Sequence, residues 1–307
     1  MEKGYMIGVD IGGTNIRIGA AREGGMLEAF EKTSSQAILA GEQAVEHLID
    51  FLRNYMHEKL KSQEIEGIVL GLPSTLNAAR DHVIQTPNIE GLNDVPLKKL
   101  LEEALHIPVL IERDVNLLFC NDADRLSLDP AGINIGVYVG TGIGNAIFID
   151  GLPYAGTDGT AGELGHVYIG RRGKVCGCGN EGCAECYAGG RRLVELREEA
   201  YPTDKIGKLF QSHGEDAALI DFVDTVAAMV AMEVNILNPG AIVLGGGVLN
   251  MEGFPRERLI EAIHRHTRKP LPEKMLKVFF SEDASENGVR GAIIYARIRN
   301  KAKRAVA

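Results

Sequence analysis

The sequence predicts an α/β protein made of two similar halves around a cleft. Strand-like apolar runs alternate with stretches of helical periodicity along the chain. A strand, a glycine turn and a returning strand open each half, once from Tyr5 to Ala20 and again from Ile133 to Ile149. At about 150 residues per domain, 307 residues make two domains the simple expectation.

In the first half, Tyr5 to Asp10 alternates as a buried strand, Gly12-Gly13 breaks it, and Ile16 to Ala20 returns. A third strand follows Gly24-Gly25, and Val45, Leu48, Ile49, Leu52, Tyr55, Met56 and Leu60 recur at helical spacing. Ile65 to Leu70 is a strand that stops at Gly71-Leu72-Pro73. Asp94 is placed to cap a helix entered through Pro96 and running to about His106, before a fourth buried strand, Pro108 to Glu112. In the second half, Ile133 to Val139 and Asn145 to Ile149 flank Gly140-Thr141-Gly142-Ile143-Gly144. A helix from about Ala217 to Leu237 stops at Asn238-Pro239, and Ala241 to Leu244 runs into Gly245-Gly246-Gly247. A strand near Met275 to Phe280 and a helix from Glu286 to about Arg299 complete the pattern. This order assigns residues 1–115 to a smaller N-terminal α/β domain, completed by a C-terminal helix over 286–307. Residues 116–285 form a larger α/β domain with a cysteine-bearing loop at 163–186.

Composition narrows the function classes. With 45% hydrophobic and 24% charged residues the chain is neither low-complexity nor fibrous. Its 33 Lys+Arg against 42 Asp+Glu give −9, without the broad basic footprint that nucleic-acid or anionic-membrane binding needs, so neither partner is expected. No apolar run approaches the ~20 residues of a membrane span, and the N-terminus enters a strand without a secretory leader, so a cytoplasmic location is expected.

Two glycine turns carry the first chemical signal. Asp10-Ile11-Gly12-Gly13-Thr14-Asn15 sets a carboxylate at a strand end before backbone N–H groups and a hydroxyl, which suits a phosphate tail with its magnesium. A plain hairpin turn explains it equally well. Gly140-Thr141-Gly142-Ile143-Gly144 repeats the logic, and a pair of such loops can clamp successive phosphates of one nucleotide. Neither fits a P-loop or a Rossmann fingerprint. Gly245-Gly246-Gly247 lets backbone approach a flat base or ribose, or else is a strand exit. Asp114, in Glu112-Arg113-Asp114-Val115-Asn116 at a strand end, is a candidate base for a hydroxyl proton, and also a good helix cap.

His166, Cys176, Cys178 and Cys183 suit a closed tetrahedral structural zinc site. Cys186 competes with His166 for the fourth position, and four thiolates also leave an iron–sulfur cluster open; Cys120 stands alone. Around this cluster Glu163 and Glu185 supply acceptors for a polyhydroxylated ligand, since each unmatched buried hydroxyl costs about 1–3 kcal/mol. Asn88, in Thr86-Pro87-Asn88, adds an amide that both donates and accepts, although Pro-Asn is also an ordinary turn pair.

Together these residues resemble the ROK family of bacterial sugar kinases and repressors, over nearly the whole chain. Asp10 to Asn15 looks like the family's first phosphate loop, Gly140 to Gly144 like its second, and Glu163-Leu164-Gly165-His166 like its Glu-x-Gly-His motif. Cys176-Gly177-Cys178-Gly179-Asn180-Glu181-Gly182-Cys183-Ala184-Glu185 is similar to its zinc signature. The resemblance implies an actin-like, ribonuclease-H-like ATPase fold, ATP and magnesium, a structural zinc and a homodimer. It makes Asp114 the base and gives Glu163, His166 and Glu185 to sugar hydroxyls. It also selects His166 over Cys186 and zinc over iron–sulfur. Family glucokinases usually have Asn before the catalytic Asp and Gly after the Gly-x-Pro strand end; Arg113 and Ser74 stand there instead. Arg113 to Asn116, with Gly247 to Met251 and Arg268 to Pro272, looks most like the family's D-allose kinases, and the Arg113 fork would read a different pattern of ring hydroxyls. That branch implies transfer to the 6-hydroxyl of D-allose, with glucose, fructose or N-acetylmannosamine as alternative sugars. The non-enzyme alternative is a sugar-sensing regulator; the nine residues before Asp10 leave no space for a helix-turn-helix module.

Overall fold

A computed structural model of the chain describes residues 4–306 other than 62 and 88. It divides into two compact units. The first comprises the chain up to Leu128, Ala155–Ala161 and the segment from Ala284 onward; the second comprises Asp129–Tyr154 and Gly162–Asp283.

In the first unit, β1 (Tyr5–Ile11), β2 (Asn15–Arg22) and β3 (Glu28–Ser34) form an antiparallel meander, and β4 (Ile65–Leu72) extends it in parallel beside β1. A small hairpin of β5 (Thr75–Leu76) and β6 (Val83–Gln85) precedes β7 (Val109–Arg113), which closes the order β3-β2-β1-β4-β7. The second unit repeats the plan. Its strands β8 (Ile133–Val139), β9 (Ile143–Ile149), β10 (Leu152–Pro153), β11 (Ala241–Gly245) and β12 (Val278–Phe280) run in the order β10-β9-β8-β11-β12. In both sheets the first strand pairs antiparallel with the second and parallel with the fourth, which is the duplication announced by the two glycine turns.

Strand alternation sorts the faces. Ile7, Val9 and Ile11 are fully buried in one core with Leu48 and Leu52 of the Ala44–Lys59 helix and Leu97 and Leu101 of the Leu97–Leu105 helix. Gly8 points the other way, where a Cβ would lie 2.5 Å from the Val289 carbonyl oxygen, so its absence lets the Asn287–Val306 helix lie against the sheet. The second core joins Ile135, Val137, Ile242 and Leu244 to Phe222, Val226, Met229 and Val230 of the Ala217–Leu237 helix. Each such fully buried aliphatic side chain contributes about 1.5–3 kcal/mol.

Four expectations shift. The first unit runs to Leu128 rather than ending at residue 115, because the Asp114–Arg125 helix packs on the Asn287–Val306 helix. Asp94 caps nothing: it has φ 52°, its Oδ1 lies 2.9 Å from His82 Nε2, and the helix begins at Leu97. The last strand starts only at Val278, since Glu273–Met275 forms a 3₁₀ turn, and the C-terminal helix extends beyond Arg299. Among the described residues, no helix is long and apolar enough to cross a membrane.

One polar pair lies inside the second core. Asn145 donates its side-chain amide to the Gly136 carbonyl at 3.1 Å and to Glu233 Oε2 at 3.0 Å, while Glu233 Oε1 is buried without a hydrogen-bond partner. Desolvation pushes the Glu233 carboxyl up from 4.5 to about 7, against the Asn145 bond. A carboxyl raised in the folded state contributes stability that is full below its unfolded value and is lost as pH climbs through about 7. Glu233→Gln removes that titration. Thermal melts should therefore show the wild type losing on the order of 2 kcal/mol relative to the variant between pH 4.5 and pH 8; parallel pH profiles would contradict this.

Candidate active site

In the first unit the β1–β2 register sets Asp10 opposite Arg17, whose Nη1 donates to Asp10 Oδ2 at 3.1 Å. The intervening turn closes through Gly12 N–H to the Asn15 carbonyl at 2.9 Å. Buried Ser35 braces it from outside, donating its hydroxyl to the Gly12 carbonyl at 2.5 Å and its N–H to the Thr14 carbonyl at 2.9 Å, while Gly13 and Thr14 stay exposed. The first turn of the Asn287–Val306 helix abuts the same carboxylate: a Cβ on Gly288 would fall 2.5 Å from Asp10 Cγ.

Asp114 opens the Asp114–Arg125 helix at the end of β7, and its Oδ1 accepts the Val115 N–H at 2.7 Å. Desolvation, then the charge of Asp10, pushes its carboxyl up from 3.8 to about 7, opposed by the Val115 N–H and by Arg113. Desolvation also raises Asp10, with Arg17 opposing.

Behind Asp114 lies a network that the sequence reading missed. Glu112 is buried, its Oε1 accepts the Arg113 N–H at 2.9 Å and the Asn116 amide at 3.0 Å, and its Oε2 accepts the Tyr295 hydroxyl at 3.0 Å. Arg80 Nε forms an ion pair with Glu112 Oε1 at 3.0 Å, and Arg80 Nη1 donates to the Gly159 carbonyl at 2.9 Å. Arg113 Nη1 donates to the Ala161 carbonyl at 2.7 Å, so this guanidinium anchors the Ala155–Ala161 segment as well as flanking Asp114. Ser74 Oγ lies 2.7 Å from Thr86 Oγ1, both buried, and the Thr86 N–H donates to Asn93 Oδ1 at 2.7 Å. Asn88 lies outside the described residues.

In the second unit the Gly140–Gly144 turn is held by the start of the Gly190–Ala200 helix. Gly190 N–H donates to the Gly140 carbonyl at 2.7 Å and Arg191 N–H to the Thr141 carbonyl at 3.1 Å. A Cβ on Gly142 would stand 2.6 Å from Glu185 Oε2, so the turn and the cysteine loop are in contact through that carboxylate. Gly144 lies within β9. The three following β11 divide their roles. Gly245 packs on the Tyr138 ring, Gly246 has φ +94° with Val139 backbone where a Cβ would go, and only Gly247 faces open space. Packing therefore claims two of the three positions expected to admit a base or ribose.

His166, Cys176, Cys178 and Cys183 converge, their ligand atoms all within 4.8 Å of one another; Cys186 is outside that set. His166 Nδ1 is 3.4 Å from Cys176 Sγ, and Cys178 Sγ is 3.6 Å from Cys183 Sγ. Zinc bonds of about 2.3 Å to sulfur and about 2.0 Å to nitrogen give tetrahedral edges of about 3.4–3.8 Å, so three thiolates and one imidazole fit the ion. The Asn180 N–H holds the Cys178 thiol below its ordinary range, which favours the ligating thiolate. With Nδ1 turned to the sulfurs, His166 Nε2 lies 3.7 Å from Glu163 Oε2, and Glu185 Oε1 accepts the Cys176 thiol at 3.3 Å. Two carboxylates and an imidazole thus stand on one braced loop.

Two duplicated sheets, each led by a glycine turn, define an actin-like α/β fold whose strand ends carry acids and backbone donors. The sequence model of the ROK family matches residues 6–299, and the chain belongs to that family. It is 30% identical over 302 residues to an N-acetyl-D-glucosamine kinase of Photobacterium profundum, covering 93% of this chain and 97% of that one. It is 30% identical over 271 residues to a glucokinase of Halalkalibacterium halodurans, covering 81% and 82%. The crystal structure of a ROK hexokinase from Thermus thermophilus superposes with a TM-score of 0.79 at 29% identity, over 96% of this chain and 99% of that one. The two curated relatives are named for N-acetyl-D-glucosamine and glucose, and the finer resemblance to D-allose kinases draws no support from them.

Arg80→Met leaves the buried Glu112 carboxylate without its cation. Urea denaturation should register a loss of about 3 kcal/mol or more in the first unit; an unchanged midpoint would mean the ion pair contributes nothing.

Proposed function

We propose that this ROK-family carbohydrate kinase transfers the γ-phosphate of ATP to the 6-hydroxyl of a hexose, with Asp114 as the base and D-allose as the sugar. The observation that carries the reading is Asp114 itself: a desolvated carboxyl at a strand end, beside a second carboxylate and pushed up to about 7, has proton affinity matched to neutral pH. In the reaction Asp114 takes the 6-hydroxyl proton as that oxygen bonds to the γ-phosphorus, and the bond from phosphorus to the β–γ bridging oxygen breaks to release ADP.

The Gly12-Gly13-Thr14-Asn15 turn of the first unit and the Gly140-Thr141-Gly142-Ile143-Gly144 turn of the second line the phosphates, while the Gly12 and Gly140 N–H groups close the turns on the Asn15 and Gly142 carbonyls and leave donation to the other groups. Magnesium accompanying the nucleotide would supply neutralisation of the phosphate oxygens, and Asp10, whose charge is felt at Asp114, would help to position it through water. Glu163, His166 and Glu185 bind sugar hydroxyls, together with Asn88, Arg113 and Asp114. His166, Cys176, Cys178 and Cys183 would hold zinc with four protein ligands, so the ion would fix the loop rather than activate water. We place the enzyme in the cytoplasm as a homodimer, as the family resemblance implies.

D-Allose is favoured by the Arg113-Asp114-Val115-Asn116 run and by Ser74, which fastens its loop through Thr86. A second reading, N-acetyl-D-glucosamine, is favoured by the 30%-identical relative of that name. A coupled assay over allose, glucose, fructose, N-acetylglucosamine and N-acetylmannosamine tests both; the largest kcat/KM should fall on allose, and a maximum elsewhere replaces the sugar while keeping the reaction.

Asp114→Asn should bind sugar yet lose about 10²–10⁴-fold in kcat, and near-normal turnover would remove the base. Because the active form is the carboxylate, wild-type kcat/KM should rise with pH and level off above about 7. A flat profile from pH 5.5 to 8.5 would count against Asp114. Atomic absorption should find zinc in the wild type and little in Cys178→Ser, whose sugar KM should rise; full retention of metal in the variant would show that the cluster is not its site.

A further inference from the structure

The three parallel strands of the second sheet end along one edge. Gly140 follows the end of β8, Gly245 ends β11 and Phe280 ends β12, with Gly245 in register with Tyr138 and Leu244 with Phe280. Ligands of open α/β sheets bind beyond such carboxyl ends. At about 4.8 Å per strand, β8 and β12 stand about 10 Å apart, a nucleotide's reach from phosphate across ribose to base. Gly247, the open glycine, lies after the middle strand.

At the far end of this edge a flat surface is already built. The Arg256 guanidinium lies over the Phe280 ring, 4.6 Å from its centroid. It is held there by Nη2 donating to Asn250 Oδ1 at 2.7 Å and Nε donating to the Leu249 carbonyl at 3.4 Å. Arg256 is exposed while Phe280 is half-buried, so the ring backs the guanidinium plane from inside. A planar cation supported on an aromatic ring is a stacking surface for another flat π-system, and it favours two-ring bases by area rather than by hydrogen-bond pattern.

We propose that Arg256, seated on Phe280, is the nucleobase platform of the donor site and selects purine over pyrimidine nucleoside triphosphates. The inference rests on the kinase reading and adds the part of the donor that the glycine turns do not read. Asn250 and the Leu249 carbonyl fix the plane of the fork, so the base meets a preset surface.

Steady-state kinetics with saturating sugar, using ATP and CTP as donors, test it in the wild type, Arg256→Ala and Arg256→Lys. Loss of one stacking surface should raise the ATP KM of Arg256→Ala about tenfold and collapse its preference for ATP over CTP. The inhibition constant of tripolyphosphate, which has phosphates and no base, should stay where it is. Lys keeps the charge but not the plane, so Arg256→Lys should behave like the Ala variant. An unchanged ATP KM, wild-type behaviour of the Lys variant, or an equal weakening of tripolyphosphate would each overturn the platform. Calorimetric ATP binding separates this from the kinase reading. A wild type that phosphorylates no hexose, yet binds ATP more tightly than Arg256→Ala, removes the reaction and leaves the platform standing.

Discussion

Two carboxyls, Asp10 and Asp114, are buried at the ends of β1 and β7, and that burial raises the proton affinity of both, the charge of Asp10 adding to it at Asp114. Arg17 answers it across the hairpin, through a register that the short turn dictates. The first turn of the C-terminal helix comes up to Asp10 at Gly288, bringing the positive end of its dipole to a desolvated carboxyl. On the other side Glu112 takes the Arg113 N–H and the Asn116 amide, which bracket Asp114 in sequence, so the junction between strand and helix is pinned from behind. A carboxyl stays desolvated at a strand end only if the surrounding chain refuses to let it relax toward water, and these contacts supply that refusal.

The second unit meets a different demand with the same sheet. Its glycine turn carries carbonyls that need partners from outside the turn. Gly190 and Arg191, the first donors of a helix, satisfy those of Gly140 and Thr141. Glu185 then touches both the turn at Gly142 and the cysteine cluster at Cys176. A metal in the cluster would thereby stiffen one wall of the glycine turn as well as the cysteine loop itself.

What the sequence made legible is what is local. The two glycine turns with the strands on either side of them, and the Cys176–Cys183 spacing, are each written within a single short stretch of chain, and a short hairpin leaves the register little freedom. The contacts that tune the site are distant in the chain. Tyr295 reaches Glu112 across 183 positions, Ser35 braces Gly12 across 23, and Arg113 finds Ala161 across 48. No periodicity announces a partner at such separations. Ser74 shows the difference: as a letter it was only a departure from glycine, and its hydroxyl contact with Thr86 gives that departure a packing reason. Asp94 failed in the opposite sense, because its position before Pro96 looks like a cap while its left-handed backbone turns it toward His82 instead.

The first unit is stitched from three stretches of chain, so the polypeptide passes between units four times, after Leu128, Tyr154, Ala161 and Asp283. Its central strands are therefore synthesised well before the Asn287–Val306 helix that covers one of their faces. Until then Gly8 and Gly19 line an uncovered, side-chain-poor groove, whose occupant supplies Val289 and Ile293. A nascent chain stalled before residue 284 would thus expose one face of a half-built sheet, the kind of surface that chaperones hold during translation.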